Sequence, residues 1–269
     1  MNHKFNLQDI QALVIDIDGT LWRGNTPMPG LVSFFDFLQQ RDLSFVIVTN
    51  NSVKTPRQYQ RKLAGFGVNI QLDNILTCSL ATAYYLKHQQ KGTVLYVIGE
   101  AGLHHALRQA GFSLTDRADP PADVVVVGGD TTLTYDKLKY AVLSIQRGAR
   151  LVGTNPDLLV PTEEGLVPEA GTTLAAIQAA TGVSPTIIGK PERLLFEMAV
   201  KIMGSHASQT AILGDRLDTD ILGGQRAGLK TILLTTGVDN ERTIPEKGIH
   251  PDAIFSGLDE LTEVWHRKL

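Results

Sequence analysis

Cysteine is almost missing from this chain: Cys78 is the only one in 269 residues. A lone cysteine excludes an intramolecular disulfide and fits a reducing compartment. With no histidine near it in sequence, it reads as a small buried hydrophobe rather than a nucleophile. Long apolar runs are missing as well. No stretch reaches the roughly 18 uninterrupted apolar residues of a membrane-spanning helix, so no membrane partner is expected. Neither sign of charge dominates. The 25 Lys and Arg against 28 Asp and Glu leave a formal charge of −3, too weak a field to gather a nucleic acid polymer or an anionic bilayer. The basic residues are also dispersed rather than collected into a stripe. Histidine pairs with metal-ligand spacing are absent. His104 and His105 are adjacent on an expected helix and point about 100° apart. Gly99-Glu100-Ala101-Gly102 and Gly128-Gly129-Asp130 complete no dinucleotide or P-loop fingerprint. Met1 to Asp9 is polar and runs into an apolar stretch, which reads as the approach to a first strand rather than a signal peptide. These absences place the protein in the cytoplasm.

What is present is ordinary globular composition, 43% apolar and 20% charged, in a chain long enough for one large domain or two modest ones. Short apolar runs alternate with helix-length amphipathic segments. The runs are Ala12 to Ile15, Phe45 to Val48, Val94 to Ile98, Val124 to Val127, Ala211 to Leu213 and Thr231 to Leu234. Each is rich in β-branched residues and closes near Gly, Asn or Asp, as strands buried on both faces do. Between them Arg193 to Met203 carries Leu194, Leu195, Met198 and Ile202 on one helical face. A second helix is expected from about Thr219 to Ala227, stopped by Gly228. The alternation predicts an α/β fold with parallel sheets, two of them in a chain of this length.

Chemistry-bearing residues fall at the ends of these runs. Asp16-Ile17-Asp18-Gly19-Thr20 follows the first, and that edge of an open α/β sheet is where ligands bind. Taken alone, the pair of aspartates also fits a solvated turn or the metal-binding DxD of a glycosyltransferase. Thr49-Asn50-Asn51 ends a second run; alone it reads as a helix cap. Gly189-Lys190-Pro191 follows a further short run, Thr186-Ile187-Ile188, with Pro191 expected to open a helix. Gly214-Asp215-Arg216-Leu217-Asp218-Thr219-Asp220 follows a fourth. By itself it equally fits an acidic helix N-terminus favoured by the macrodipole.

The four segments in this order resemble the signature motifs of the haloacid dehalogenase-like superfamily. More specifically they resemble its NagD-like, 4-nitrophenylphosphatase type (subfamily IIA). Thr154-Asn155-Pro156-Asp157, followed by Pro168 and Gly171, also matches that type, and the resemblance covers nearly the whole chain. It implies a Rossmann-like parallel-sheet core with an inserted α/β cap domain, and a Mg²⁺-dependent phosphatase acting on a small phosphorylated metabolite. By that resemblance Asp16 is the nucleophile and forms an aspartyl-phosphate, and Asp18 is the general acid and base. Thr49, Asn50 and Lys190 surround the phosphoryl oxygens. Asp16 and Asp215 hold the metal by side chain and Asp18 by its backbone carbonyl. Asp220 orients Lys190 or a metal-bound water, and Asp218 is the weakest of the acidic candidates. The charges alone argue in the same direction. Two carboxylates about 4 Å apart repel by roughly 4 kcal/mol at an effective dielectric of 20, so converging aspartates need a cation or a proton.

About 140 residues separate Asn50 from Lys190, far more than one crossover uses. A domain is therefore inserted, with junctions expected near Leu80 and Gly182: residues 1–80 with 183–269 form the core and 81–182 the cap. Within the cap, Asn155, Asp157, Leu159 and Val160 are candidate substrate contacts. The apolar Leu158, Leu159 and Val160 equally fit the cap's own core. The resemblance further implies a homodimer through the cap. Two rival functions remain from sequence: phosphoryl transfer to another acceptor, as in a phosphomutase on the same core, and a phosphometabolite-binding protein without turnover.

Overall fold

The run Ala12–Ile15 forms the centre of a six-stranded sheet, and all four of its side chains are buried. It pairs in parallel with Ser44–Thr49, Ile15 opposite Ile47, and with Thr210–Gly214, Ile15 opposite Leu213. The strand order is Ala253–Phe255, Lys230–Leu234, Thr210–Gly214, Ala12–Ile15, Ser44–Thr49, Ile75–Thr77. From its central strand the chain winds outward to one edge, then returns to the other side of Ala12–Ile15. The order reverses between Ala12–Ile15 and Thr210–Gly214, where a parallel sheet opens a crevice at its C-terminal edge. The computed structural model describes residues 5–89, 92–162 and 164–267; the first residues of the expected approach to the first strand lie outside that range.

Helices cover this sheet because their apolar residues recur at helical spacing. Leu31–Gln40 buries Leu31, Phe34, Phe35, Phe37 and Leu38. Phe37 packs on Trp265 of the closing helix Leu258–Arg267. Arg193–Met203 lies against Ala12–Ile15 and Ser44–Thr49 and buries Leu195, Phe196, Met198 and Ala199. The sequence pattern put Ile202 on that face, but Ile202 is 48% exposed; the buried stripe turns toward Phe196 instead. Pro191 does not open this helix either, because it starts two residues later at Arg193. The helix expected from Thr219 begins earlier, as a π-helical turn over Leu217–Ile221 continued by Leu222–Arg226. Gly228, at φ 76°, closes it as expected.

The chain divides into two compact units. One holds residues through Thr49, Tyr59–Leu76 and the chain from Lys190 onward; the other holds Asn50–Gln58 and Thr77–Gly189. The sequence reading set its junctions near Leu80 and Gly182, whereas the compact units change at Leu76/Thr77 and Gly189/Lys190, with Asn50–Gln58 counted in the second. The second unit is built on its own parallel sheet, ordered Thr186–Ile187, Arg150–Gly153, Val124–Val127, Val94–Ile98, Ser113–Thr115. Val124–Val127 is four fully buried valines. Tyr135–Gln146 and Ala170–Thr181 pack Ala141, Ile145, Leu174 and Ile177 onto it. An antiparallel hairpin, Leu159–Thr162 with Gly165–Pro168, completes this unit. Both units are α/β with parallel sheets. Among the described residues no helix is long and apolar enough to cross a membrane.

Candidate active site

Asp16 and Asp215 are the first residues past two neighbouring strands, Ala12–Ile15 and Thr210–Gly214. The Asp16 N–H donates to the Leu213 carbonyl at 2.8 Å, so the ladder continues to the point where the carboxylates emerge. Gly19 turns the chain back at φ 91° and donates to the Trp22 carbonyl. A side chain there would also collide with Asp215. On its other flank Asp215 is held by the loop after Lys230–Leu234. Its Oδ2 accepts from Val238 N–H at 2.8 Å and its carbonyl from Asp239 N–H at 3.0 Å. Gly237 in that loop has no room for a Cβ beside the Asp215 carboxylate.

Lys190 enters this centre from just before the Arg193–Met203 helix. Its Nζ donates to Asp16 Oδ1 and, at 2.6 Å, to Asp220 Oδ1. Asp220 is held in turn by the π-helical turn, where its Oδ2 accepts from Arg216 N–H at 3.1 Å. Asp16, Asp215 and Asp220 each offer a carboxylate oxygen within 4.8 Å of the others. All four side chains are buried. Three carboxylates therefore face one ammonium out of water, which is unfavourable for any of them to ionise further. Burial raises the Asp16 pKa against the pull of Lys190. Burial and then Asp16 and Asp220 push Asp215 up to about 8. Burial works against the Lys190 charge, but Asp16 and Asp220 carry it above the ordinary lysine range. Asp215 Oδ1 is buried and has no hydrogen-bond partner among the described residues. A dense, hard, oxygen-only donor set with an orphaned carboxylate oxygen fits a bound divalent cation.

The other expected residues of this unit divide. Thr49 is buried at the end of the strand beside Ala12–Ile15. Asp18 is exposed, and its Oδ1 accepts from the Trp22 indole N–H at 3.0 Å. Asp218 stands apart from the cluster, paired with the Arg216 guanidinium at 3.1 and 3.2 Å. Burial would raise its pKa, but Arg216 and Lys247 hold it below the usual carboxylate range. Sequence reasoning missed Asp239, a buried carboxylate that accepts from Leu217 N–H and Lys247 Nζ, both at 2.8 Å, and so anchors the turn carrying Asp220. Its only sequence signal is its place shortly after the buried run Thr231 to Leu234.

In the second unit Asn50, Asn155 and Asp157 are brought together. Asn50 Nδ2 donates to Asp157 Oδ2 at 2.8 Å, and Asn155 Nδ2 donates to the Asn50 carbonyl at 2.8 Å. Cys78 Sγ donates to the same carbonyl, and burial pushes its thiol far above the usual range, which leaves it unreactive. Leu159 and Val160 are not part of this cluster. They pair with Pro168 and Val167 in the hairpin. Leu158 and Leu159 are 59% and 48% exposed, so they do not belong to the core of the unit.

The chain is 38% identical over 254 residues to the acid sugar phosphatase of Staphylococcus aureus (strain USA300), covering 94% of this chain and 97% of that one. Residues 13–113 match the model of haloacid dehalogenase-like hydrolases, and residues 187–261 a HAD-hydrolase-like model. The chain belongs to the haloacid dehalogenase-like hydrolases. Among solved members of that family, a 4-nitrophenylphosphatase (NPPase) double mutant from Geobacillus stearothermophilus superposes with a TM-score of 0.87 at 39% identity. That match covers 94% of this chain and 98% of the other. NagD from E. coli K-12 superposes with a TM-score of 0.86 at 34% identity over 93% and 98% of the two chains. This haloacid dehalogenase-like chain is accordingly a phosphatase of the NagD and 4-nitrophenylphosphatase type.

Proposed function

We propose that the chain is a Mg²⁺-dependent phosphomonoesterase that hydrolyses small phosphorylated metabolites through an aspartyl-phosphate on Asp16. The observation that carries this reading is the buried set of three carboxylates around one lysine, with Asp215 Oδ1 left without a partner. Asp16 and Asp215 by side chain, with the Asp18 carbonyl, are the groups that would hold Mg²⁺, a hard ion that accepts water and phosphate as further ligands. When bound, Mg²⁺ supplies positive charge that keeps Asp16 ionised and offsets the charge of the phosphoryl oxygens.

The rest falls to the chain's own residues. An Asp16 carboxylate oxygen attacks phosphorus as the bond from phosphorus to the leaving alcohol breaks, and Asp18 gives its proton to the departing oxygen. Asp18, now a carboxylate, takes a proton from water as the water oxygen bonds to phosphorus. The bond from phosphorus to Asp16 then breaks, which releases inorganic phosphate and restores both aspartates. Lys190, fixed between Asp16 and Asp220, remains charged beside the phosphoryl group, and the Thr49 hydroxyl joins the same oxygen cradle. The second unit serves as the cap. Asn155 and Asp157 act there by holding Asn50. Sugar phosphates lead the candidate substrates, because the curated relatives are named acid sugar phosphatases. The buried, unreactive Cys78 suits a reducing, cytoplasmic setting.

The test is phosphate release from a panel of sugar, nucleotide and aryl phosphates, with Mg²⁺ and with the metal chelated. Turnover that chelation abolishes and Mg²⁺ restores is expected; no release from any ester with Mg²⁺ present would overturn the proposal. A second expectation concerns Gly237, where a Cβ has no place beside Asp215. Gly237→Ala is expected to displace that carboxylate and weaken apparent Mg²⁺ affinity by about tenfold or more, the size of effect seen when metal ligands lose their supports. A Mg²⁺ activation midpoint unchanged from the wild type would show that Asp215 does not depend on this close approach.

A further inference from the structure

Trp22 lies next to the catalytic loop yet has no part in the steps above. It is 1% exposed, and its indole N–H donates to Asp18 Oδ1 at 3.0 Å. The backbone repeats the link: Asp18 and Trp22 form an isolated bridge, and Gly19 N–H donates to the Trp22 carbonyl at 2.8 Å. The ring itself is held on several sides. Tyr59 stacks on it with centroids 6.2 Å apart and Phe66 tilts against it at 5.9 Å. Lys62 Nζ lies 4.6 Å over its centre and is itself bonded to the Gly24 carbonyl at 2.6 Å. A buried indole N–H is held to a partner by the cost of leaving it unsatisfied. Here its partner is the exposed carboxylate assigned to proton transfer.

We infer that Trp22 is a positioning residue for Asp18: its fixed N–H holds the Asp18 carboxyl in one orientation, the one from which the proton passes to the departing oxygen. An exposed aspartate otherwise samples several χ rotamers, and only those aimed at the leaving group assist it. The inference rests on the phosphatase reading. It predicts a defect confined to bond cleavage that needs a proton, and that is a different signature from loosened packing.

The measurement is kcat/KM over substituted phenyl phosphates, from 4-nitrophenyl, whose phenolate departs unaided, to unsubstituted phenyl, whose more basic oxygen needs a proton. This parameter covers steps through the first cleavage of the P–O bond and is blind to slow hydrolysis of the intermediate. For Trp22→Phe, kcat/KM is expected to fall about tenfold or more on phenyl phosphate and less than about threefold on 4-nitrophenyl phosphate, within the range of general acid catalysis. 3-Benzothienylalanine at position 22 keeps the ring shape and removes only the N–H; it should reproduce the gap even if Trp22→Phe folds poorly. Phe66→Leu, which disturbs the packing around Trp22 and keeps the N–H, should lower both substrates equally. An equal loss across the series for the benzothienyl variant, or no loss, would overturn the positioning role while leaving the phosphatase reading intact. A wild-type chain inert toward every ester with Mg²⁺ present would instead overturn the phosphatase reading, and this inference with it.

Discussion

Asp16→Asn is expected to lower kcat by about 10⁵-fold, on the scale seen when a covalent nucleophile is removed elsewhere, and to make the metal-free protein more stable, not less. The two effects share one cause. Asp16 is buried beside Asp215 and Asp220 with one lysine among them, and burial raises its pKa despite Lys190. A site that raises a carboxyl pKa favours the neutral form, which an amide imitates at every pH. Losing the attraction to Lys190 offsets part of the gain, leaving about 1 kcal/mol, or a few degrees in melting temperature for a chain of this size. Retained activity above about 1% would argue against Asp16 as the attacking group, since positioning and charge alone do not replace a covalent step. A melting temperature lowered by several degrees would argue that Asp16 is a structural anchor for Lys190 rather than a strained functional group. Stability and activity moving in opposite directions is what a site selected for chemistry predicts.

The strands that carry the site were legible because each is a short apolar run closed by a residue with its own chemistry. Asp16, Thr49 and Asp215 stand where that pattern puts them, at the C-terminal edge of a parallel sheet. Periodicity does not show three-dimensional detours. The π-helical turn over Leu217–Ile221 sends Asp220 into the cluster while Asp218, two residues earlier, goes to Arg216, and a run of alternating acids gives no hint of which points inward. Trp22 and Gly237 were equally hidden. An indole after a Gly-Thr-Leu turn reads as core, and a glycine after a strand reads as a turn, until a carboxylate is found against each. Ile202 was misplaced for a simpler reason: the Arg193–Met203 helix has apolar residues on more than one face, and its contact with Ala12–Ile15 and Ser44–Thr49 selects Phe196 over Ile202.

The same crowding of carboxylates makes metal binding and protons compete, and this gives the second large effect. In the folded, metal-free chain Asp215 keeps its proton up to about pH 8 and Asp220 up to about pH 6. The unfolded chain releases both near the ordinary value of 3.8. Between those limits the folded state binds more protons than the unfolded one, so stability must fall as pH rises. The contribution is fully present below about pH 4 and lost as pH passes 8, and Asp215 alone accounts for at most about 6 kcal/mol. A divalent cation at the cluster replaces those protons. Mg²⁺ should therefore add little to the melting temperature at pH 5, where it must displace protons to bind. At pH 8 it should add markedly more, by roughly 5 °C or above, since each kcal/mol moves a chain of this size by about 2–4 °C. Thermal melts with Mg²⁺ and with chelator, taken from pH 5 to pH 8, measure this directly. A Mg²⁺ increment that stays constant over that range would mean the ion does not bind at Asp215, whereas one that vanishes in Asp215→Asn and grows with pH in the wild type would locate it there.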